Sequence, residues 1–317
     1  MRESRAAHGH STEAEGEGTP RRLGPFFHVA AKVPWVARAL RPLAVRVVPI
    51  VSPSVRDGTQ ANARHIFGRT LSRREQRLFA RDVVRNFYDF VTDIGRFARQ
   101  GPRHIMSLVE RFDGEEAYRA ARASNTGAVL VTAHMGSFEV GLAALSELEE
   151  HIHVVFKRDD SGPFESMRTA FRESLGVVES PIEDGLPMWL GLRQALGRGE
   201  VVVMQIDRAM RGQAAVTVDF LHGRLRIPTG GIWLARLTGS PIIPVFVIRT
   251  QTGRFEVRTF PSIDPGVGRD KPVEGDPAVM AITKALESMV AAYPTQWLNL
   301  RPAFHGNEAT ASTSNGI

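Results

Sequence analysis

The chain has 317 residues, 43% apolar and 23% charged, which suits one large or two small domains and excludes collagen-like, coiled-coil and wholly disordered chains. It has no cysteine, so disulfides, cysteine-ligated zinc and a thiolate nucleophile are excluded, and a cytoplasmic setting is the simplest reading. Forty basic residues against 34 acidic ones give a net charge of +6, and only four of the forty are lysine, so the cation here is arginine, whose fork grips phosphate and carboxylate.

Residues 1–22 contain almost nothing large and apolar, and they read, with 306–317, as disordered tails. Residues 23–60 read as a helical segment at a membrane interface. From Leu23 to Val51 the chain is rich in Val and Ala with Phe26, Phe27 and Trp35, but Lys32, Arg38, Arg41 and Arg46 interrupt it, as do Pro34, Pro42 and Pro49. No uncharged run reaches the roughly 18 to 20 residues that span a bilayer, whereas apolar bulk with arginines reaching phosphates fits a segment lying at its surface.

Residues 61–305 read as one domain. Ser72-Arg-Arg-Glu75 has the form of a capping box opening a long helix, along which Phe79, Val83, Phe87, Phe90, Val91, Ile94 and Phe97 recur at helical spacing. After Gly127 short apolar runs alternate with helical patterns. Strands are expected at 128–133, 152–156, 201–206, 216–220, 241–248 and 255–260; helices at 138–148, 164–175, 188–196 and 231–238. A last helix starts at Asp276 as N-cap with Pro277 in its first turn and stops before Pro294. The alternation predicts an α/β domain with a mixed, largely buried central sheet flanked by helices.

The chemistry-bearing segment is Ala133-His134-Met135-Gly136-Ser137-Phe138-Glu139, where a carboxylate follows a histidine by five positions. Spacing alone carries little, since the N-terminal tail holds two such pairs, His8 with Glu13 and His10 with Glu15. Context carries more: His134 directly follows an apolar strand and Glu139 lies just inside the next helix, at the edge where α/β folds place their sites. Five residues along a continuous helix or strand put side chains on different faces, so the two can meet only across a break. Gly136 supplies a permissive backbone there, and Ser137 is a candidate N-cap. A carboxylate on one imidazole nitrogen fixes the tautomer and makes the other nitrogen a base able to deprotonate a hydroxyl.

The run GAVLVTAHMGSFEVG resembles the first motif of the glycerolipid acyltransferases, and its glutamate in place of aspartate resembles the lipid A late acyltransferase branch. Later segments agree in order: VVFKRDDSGPFESMRTAFRESLG, GEVVVMQIDRAMRG, DFLHGRLRIPTGGIWLARLTGSPIIPV and YPTQWLNLRPAF each resemble a successive block of that family. His222, Asn299 and Pro302 depart from its pattern. The resemblance implies transfer of a fatty acyl group from an acyl thioester, on acyl carrier protein or coenzyme A, to a hydroxyl of a lipid or glycolipid. A lipid A precursor is the first expectation, and a phosphatidylinositol mannoside, an ornithine lipid and a lysophospholipid are others. It implies His134 as general base with Glu139 as its partner, and no metal or further cofactor. It also implies Arg158, with Lys157 beside it, as the holder of a substrate phosphate, against a surface ion pair with Asp159 or Asp160. Asp207 would orient Arg158 or line the site, and Gly223, Thr229 and Gly230 would let the backbone approach a ligand. The expected setting is peripheral or monotopic, on the cytoplasmic face of a bacterial inner membrane, against anionic lipid.

Other classes fit less well. A serine hydrolase needs a nucleophile elbow of the GxSxG kind, which is missing. A nucleic-acid binder needs clustered cations and aromatic readout, but the arginines are dispersed. A lipid-binding or scaffold protein without turnover is separated from an enzyme only by assay.

Overall fold

The computed structural model describes residues 34–123, 126–158, 162–210 and 212–305; the two expected tails and the segment up to residue 33 lie outside these residues. Three helices come first: α1 (Pro34–Val51), α2 (Pro53–Phe67) and α3 (Arg73–Gln100). The capping box forms as expected, with the Ser72 hydroxyl accepting from Glu75 N at 3.3 Å and the Glu75 carboxylate accepting from Ser72 N at 2.7 Å. The stripe from Phe79 to Phe97 is largely buried.

α1 falls within the segment expected to be helical, and Pro42 and Pro49, which interrupt its apolar run, sit inside a continuous helix. Each proline forgoes one backbone hydrogen bond, and packing of the Ala37 and Val45 face against α3 compensates. Arg41 belongs to this buried side, its Nη2 donating to Asp89 Oδ2 at 2.5 Å. The outward side carries Trp35, Leu43, Ile50 and Val51, all more than half exposed, alongside exposed Arg38 and Arg46. No helix among the described residues is long and apolar enough to cross a membrane.

The domain then alternates α4 (Pro102–Met106), β1 (Val109–Asp113), α5 (Glu115–Arg122), β2 (Ala128–Thr132), α6 (Phe138–Leu145), β3 (Ile152–Phe156), α7 (Gly162–Ser174), β4 (Val178–Pro181), α8 (Leu186–Gly197) and β5 (Val201–Gln205). There follow β6 (Ala215–Phe220), β7 (Gly223–Pro228), α9 (Gly230–Thr238), β8 (Ile242–Arg249), β9 (Phe255–Thr259) and α10 (Pro277–Ala292). Seven strands form a mixed sheet in the order β1-β9-β8-β2-β5-β3-β4, parallel at every pairing but the antiparallel β8–β9. One face packs on α8, α9 and α10 through residues such as Val131, Met204 and Phe246; the other packs on α6 and the end of α3 through Leu130, Val203 and Val247.

Three strands escape the sequence patterns. β1 and β4 are edge strands with charged residues and little apolar periodicity. β7 pairs with β6 as a hairpin whose two-residue turn is Leu221-His222, with Leu221 at φ +52°, so the usual Asn-Gly signal is missing. α4 and α5, five and eight residues long, were also unmarked by the patterns.

Candidate active site

β2 and β5 are neighbours in parallel register with Thr132 opposite Gln205. Continuing that register two residues brings His134 opposite Asp207, and Ile206 N bonds Thr132 O at 2.9 Å on the way. Both side chains emerge at the carboxyl edge of the sheet. From this edge the chain leaves β2 toward β3 on one side and β5 later leads to β8 on the other, the place where such folds open a crevice.

His134 Nδ1 meets Asp207 Oδ1 at 2.8 Å, and His134 N donates to the same oxygen at 3.2 Å. Asp207 Oδ2 accepts from Trp297 Nε1 at 2.8 Å and Asn299 Nδ2 at 3.3 Å. Four donors therefore converge on one carboxylate with no accessible side-chain surface, while 28% of the His134 side chain is accessible. Burial opposes ionisation of Asp207, but the charge and hydrogen bond of His134, the Arg208 charge and the Trp297 bond outweigh it and hold the carboxyl below the usual range. Burial and then the Arg208 charge, outweighing the Asp207 carboxylate, lower the His134 pKa as well, which for an imidazole favours the neutral ring. With Nδ1–H donating to Asp207, Nε2 carries the lone pair and has no protein partner among the described residues. This is the state a general base needs.

The closing segment clamps the histidine turn. Leu298 N donates to His134 O at 2.7 Å, Gly136 N donates to Gln296 O at 2.9 Å, and Met135 bridges Trp297 as a short antiparallel pair. Gly136 has φ +54°, and a Cβ there would fall 2.0 Å from Val247 O, so glycine is required on both counts. Ser137 occupies the N-cap position of α6 but makes no capping bond, and its buried hydroxyl has no partner among the described residues, so it is neither the cap expected nor an accessible nucleophile.

Glu139 is not the partner of His134. It lies wholly buried on α6, where its Oε1 accepts from Arg168 Nε at 3.2 Å and Arg172 Nη2 at 3.4 Å, both from α7. Arg172 also pairs with Glu179 at 2.9 Å, so this carboxylate joins α6 to α7 and β4. The helix turns Glu139 away because Phe138 takes the place beside the imidazole, meeting His134 edge-on at 6.0 Å with the Arg168 guanidinium 6.0 Å over its ring. Glu139 thus touches the site at second hand, through Arg168 and Phe138.

The other expected residues scatter. Asp207 comes to His134 itself rather than to Arg158. Arg158, exposed at the end of β3 two strands from β2, pairs with Asp184 at 3.1 Å, and its N donates to Glu183 Oε1. Lys157 is exposed beside it. Gly223, Thr229 and Gly230 are packed by the protein rather than opened to a ligand: added Cβ atoms at Gly223 and Gly230 would lie 2.6 Å from the rings of His65 and Trp189, and Thr229 is buried ahead of α9. Trp297, Asn299, Arg168 and Arg208 were not assigned to the site from sequence. The first two were visible only as a closing aromatic segment and as a departure from a family pattern.

A narrow, mainly apolar cavity runs between α6 and the sheet behind Phe138, lined by Leu130, Thr132, Leu142, Val203 and Val245 among others. A smaller recess shares Thr132 and Phe138 with it and reaches Gln205 and Arg168. Among the described residues, Gln205 Nε2 in the recess and Thr259 Oγ1 in the larger cavity are buried without hydrogen-bond partners.

Among curated proteins, the chain is similar to phosphatidylinositol mannoside acyltransferases. Identity is 29% over 216 residues with that of Mycobacterium tuberculosis (strain CDC 1551 / Oshkosh), covering 66% of this chain and 65% of the relative. With the Mycolicibacterium smegmatis protein it is 28% over 188 residues, 58% of each. The similarity thus spans between about half and two thirds of the relatives' length. The model of the bacterial lipid A biosynthesis acyltransferases matches residues 29–305, nearly the whole chain and all of the clamp around His134, and the protein belongs to that family.

Proposed function

We propose that the protein transfers a fatty acyl group from an acyl thioester, carried on acyl carrier protein or coenzyme A, to a hydroxyl of a membrane glycolipid. The observation that carries this reading is the buried Asp207 carboxylate holding the His134 imidazole with Nε2 open at the sheet edge. In the reaction, Nε2 takes the proton of the acceptor hydroxyl as its oxygen attacks the thioester carbonyl. Asp207 stabilises the imidazolium so formed, which then gives the proton to the departing thiolate. The apolar cavity behind Phe138 suits the acyl chain. The relatives' names favour a phosphatidylinositol mannoside-like acceptor, and the family description keeps a lipid A precursor as the other glycolipid to try.

The setting proposed is the cytoplasmic face of a bacterial inner membrane. The outward side of α1 presents Trp35, Leu43 and Ile50 with Arg38 and Arg46 nearby. Its inner side packs with Phe90, Phe138 and Leu298 in one cluster, which puts the apolar surface close to His134. Such a helix meets anionic lipid by shallow insertion and arginine–phosphate contact. Purified protein incubated with acyl-coenzyme A or acyl carrier protein and each glycolipid should yield the acylated product by mass spectrometry, and His134→Ala should abolish it. Product from neither donor with any acceptor, or undiminished product from His134→Ala, refutes the reading and favours a non-catalytic lipid-binding role.

A further inference from the structure

The arginines read as dispersed over the whole chain, yet residues 64–85, the corner where α2 meets α3, hold seven of them against two acids, Glu75 and Asp82, and with them most of the net charge of +6. Both acids are taken. Glu75 meets Arg69 at 2.8 Å and closes the capping box on Ser72 N, and Asp82 meets Arg85 at 2.7 Å. Arg73, Arg74 and Arg77 are exposed and Arg81 is partly so, and among the described residues no carboxylate pairs with any of the four. The Arg77 Nε donates to Arg73 O at 3.2 Å, which lays that side chain along the helix surface.

Helix physics opposes this placement. Arg73 and Arg74 are the first two residues of α3, where the positive end of the macrodipole disfavours cations, and like charges four residues apart, as at 73, 77 and 81, repel. The one acid in that first turn, Glu75, is committed to the cap and to Arg69. A local rule broken with no compensating contact inside the protein points to a partner outside it. The stripe also has a regular form: Arg73, Arg77 and Arg81 stand on successive turns, about 6 Å apart along the axis. Leu78 and Phe67, 47% and 38% exposed, add a little apolar surface at the same corner.

We infer that the arginine stripe of α3 docks an acidic carrier protein that presents the acyl thioester, an inference whose purpose rests on the acyl transfer proposed above. Carboxylates one helical turn apart on such a partner meet the stripe turn for turn, and complementary charge of this kind sets partner choice and encounter rate. The position suits delivery. On the same helix Phe90 lies 4.8 Å from the Phe138 ring, which lies 6.0 Å from that of His134. Arg81 is nine residues before Phe90, about 13 Å along the axis, which is within the span of a phosphopantetheine arm. A lipid surface is the poorer occupant, because insertion needs apolar bulk, and that bulk is on the outward side of α1, in Trp35, Leu43, Ile50 and Val51.

Calorimetric titration of the purified protein with holo acyl carrier protein tests the docking without turnover. Combining Arg73→Gln, Arg77→Gln and Arg81→Gln should weaken binding about tenfold, the joint scale of three exposed ion pairs, and the corresponding triple lysine variant, which keeps the charge, should bind nearly as wild type does. Added salt should weaken wild type more than the glutamine variant. The melting temperature of the glutamine variant should not fall, since the change relieves the repulsion within α3. In turnover, that variant should raise KM for the acyl carrier thioester about tenfold at unchanged kcat and leave KM for acyl-coenzyme A as in wild type. Carrier binding that depends on these arginines, without any acyl transfer, refutes the transfer reading and leaves the docking standing. The inference is overturned if the carrier does not bind wild type, if the glutamine variant binds it within about threefold of wild type, or if that variant loses flotation with anionic liposomes while keeping the carrier.

Discussion

Replacing Asp207 by asparagine changes the shape of the side chain little but halves its capacity to accept. The native carboxylate takes two donors on each oxygen: Nδ1–H and the backbone N–H of His134 on Oδ1, and the Trp297 and Asn299 N–H groups on Oδ2. An amide must turn its NH2 toward one pair. Facing Trp297 and Asn299, it strands two buried donors, each at a cost of about 1–3 kcal/mol. Facing His134, it strands only the backbone N–H, because the imidazole can shift its proton to Nε2 and accept at Nδ1. The second orientation is therefore favoured, and it places a proton on the atom that must act as base. Stability should fall by about 1–3 kcal/mol, the cost of one stranded donor. Turnover should fall by about 10² to 10⁴, the usual worth of a general base, with KM for the thioester nearly constant. Urea unfolding gives the first quantity and thiol release from acyl-coenzyme A in the presence of acceptor the second. Asp207→Asn turnover within about threefold of wild type, well below the worth of a general base, would refute the assignment of Asp207 as the orienting partner.

Because the His134 pKa is lowered by burial and Arg208, the base stays neutral and turnover persists below the ordinary histidine value of about 6.5, failing only as pH falls further; an acid limb centred above that value contradicts this. Glu139→Gln should lower stability by about 3 kcal/mol by removing the negative charge that two buried arginines share, and it should leave the acid limb in place, since Glu139 bonds Arg168 and Arg172 and not the imidazole; a shifted limb at unchanged stability would restore it as the histidine's partner. Gly136→Ala should destabilise by more than the roughly 1–2 kcal/mol of a left-handed residue, because its Cβ also meets Val247 O, and a melting temperature equal to wild type argues against the clamp as described. Replacing Trp35, Leu43 and Ile50 together by serine should reduce flotation with anionic liposomes about a hundredfold, whereas Arg41→Gln should matter little because Arg41 is held by Asp89; equal flotation of the triple variant and wild type excludes α1 as the contact.

The sequence by itself determined most of the elements and one half of the site. Alternating apolar runs and helical periodicity are local properties, so β2, β5, the Ser72 capping box and the Asp276 cap could be read from neighbours in the chain. The same locality picked out His134 after its strand and Gly136 at the turn. It failed for the partner of the histidine, because Glu139 is five residues away in the chain yet points into α7, while Asp207 is 73 residues away and arrives only through the β2–β5 register. Tertiary structure likewise decided the fate of the arginines. Arg41 and Arg158 are spent on Asp89 and Asp184, whereas Arg208 donates to neutral oxygens among the described residues. Spacing states which side chains a single element carries, but the pairing of strands distant in sequence fixes which charges meet, and a catalytic dyad is such a meeting.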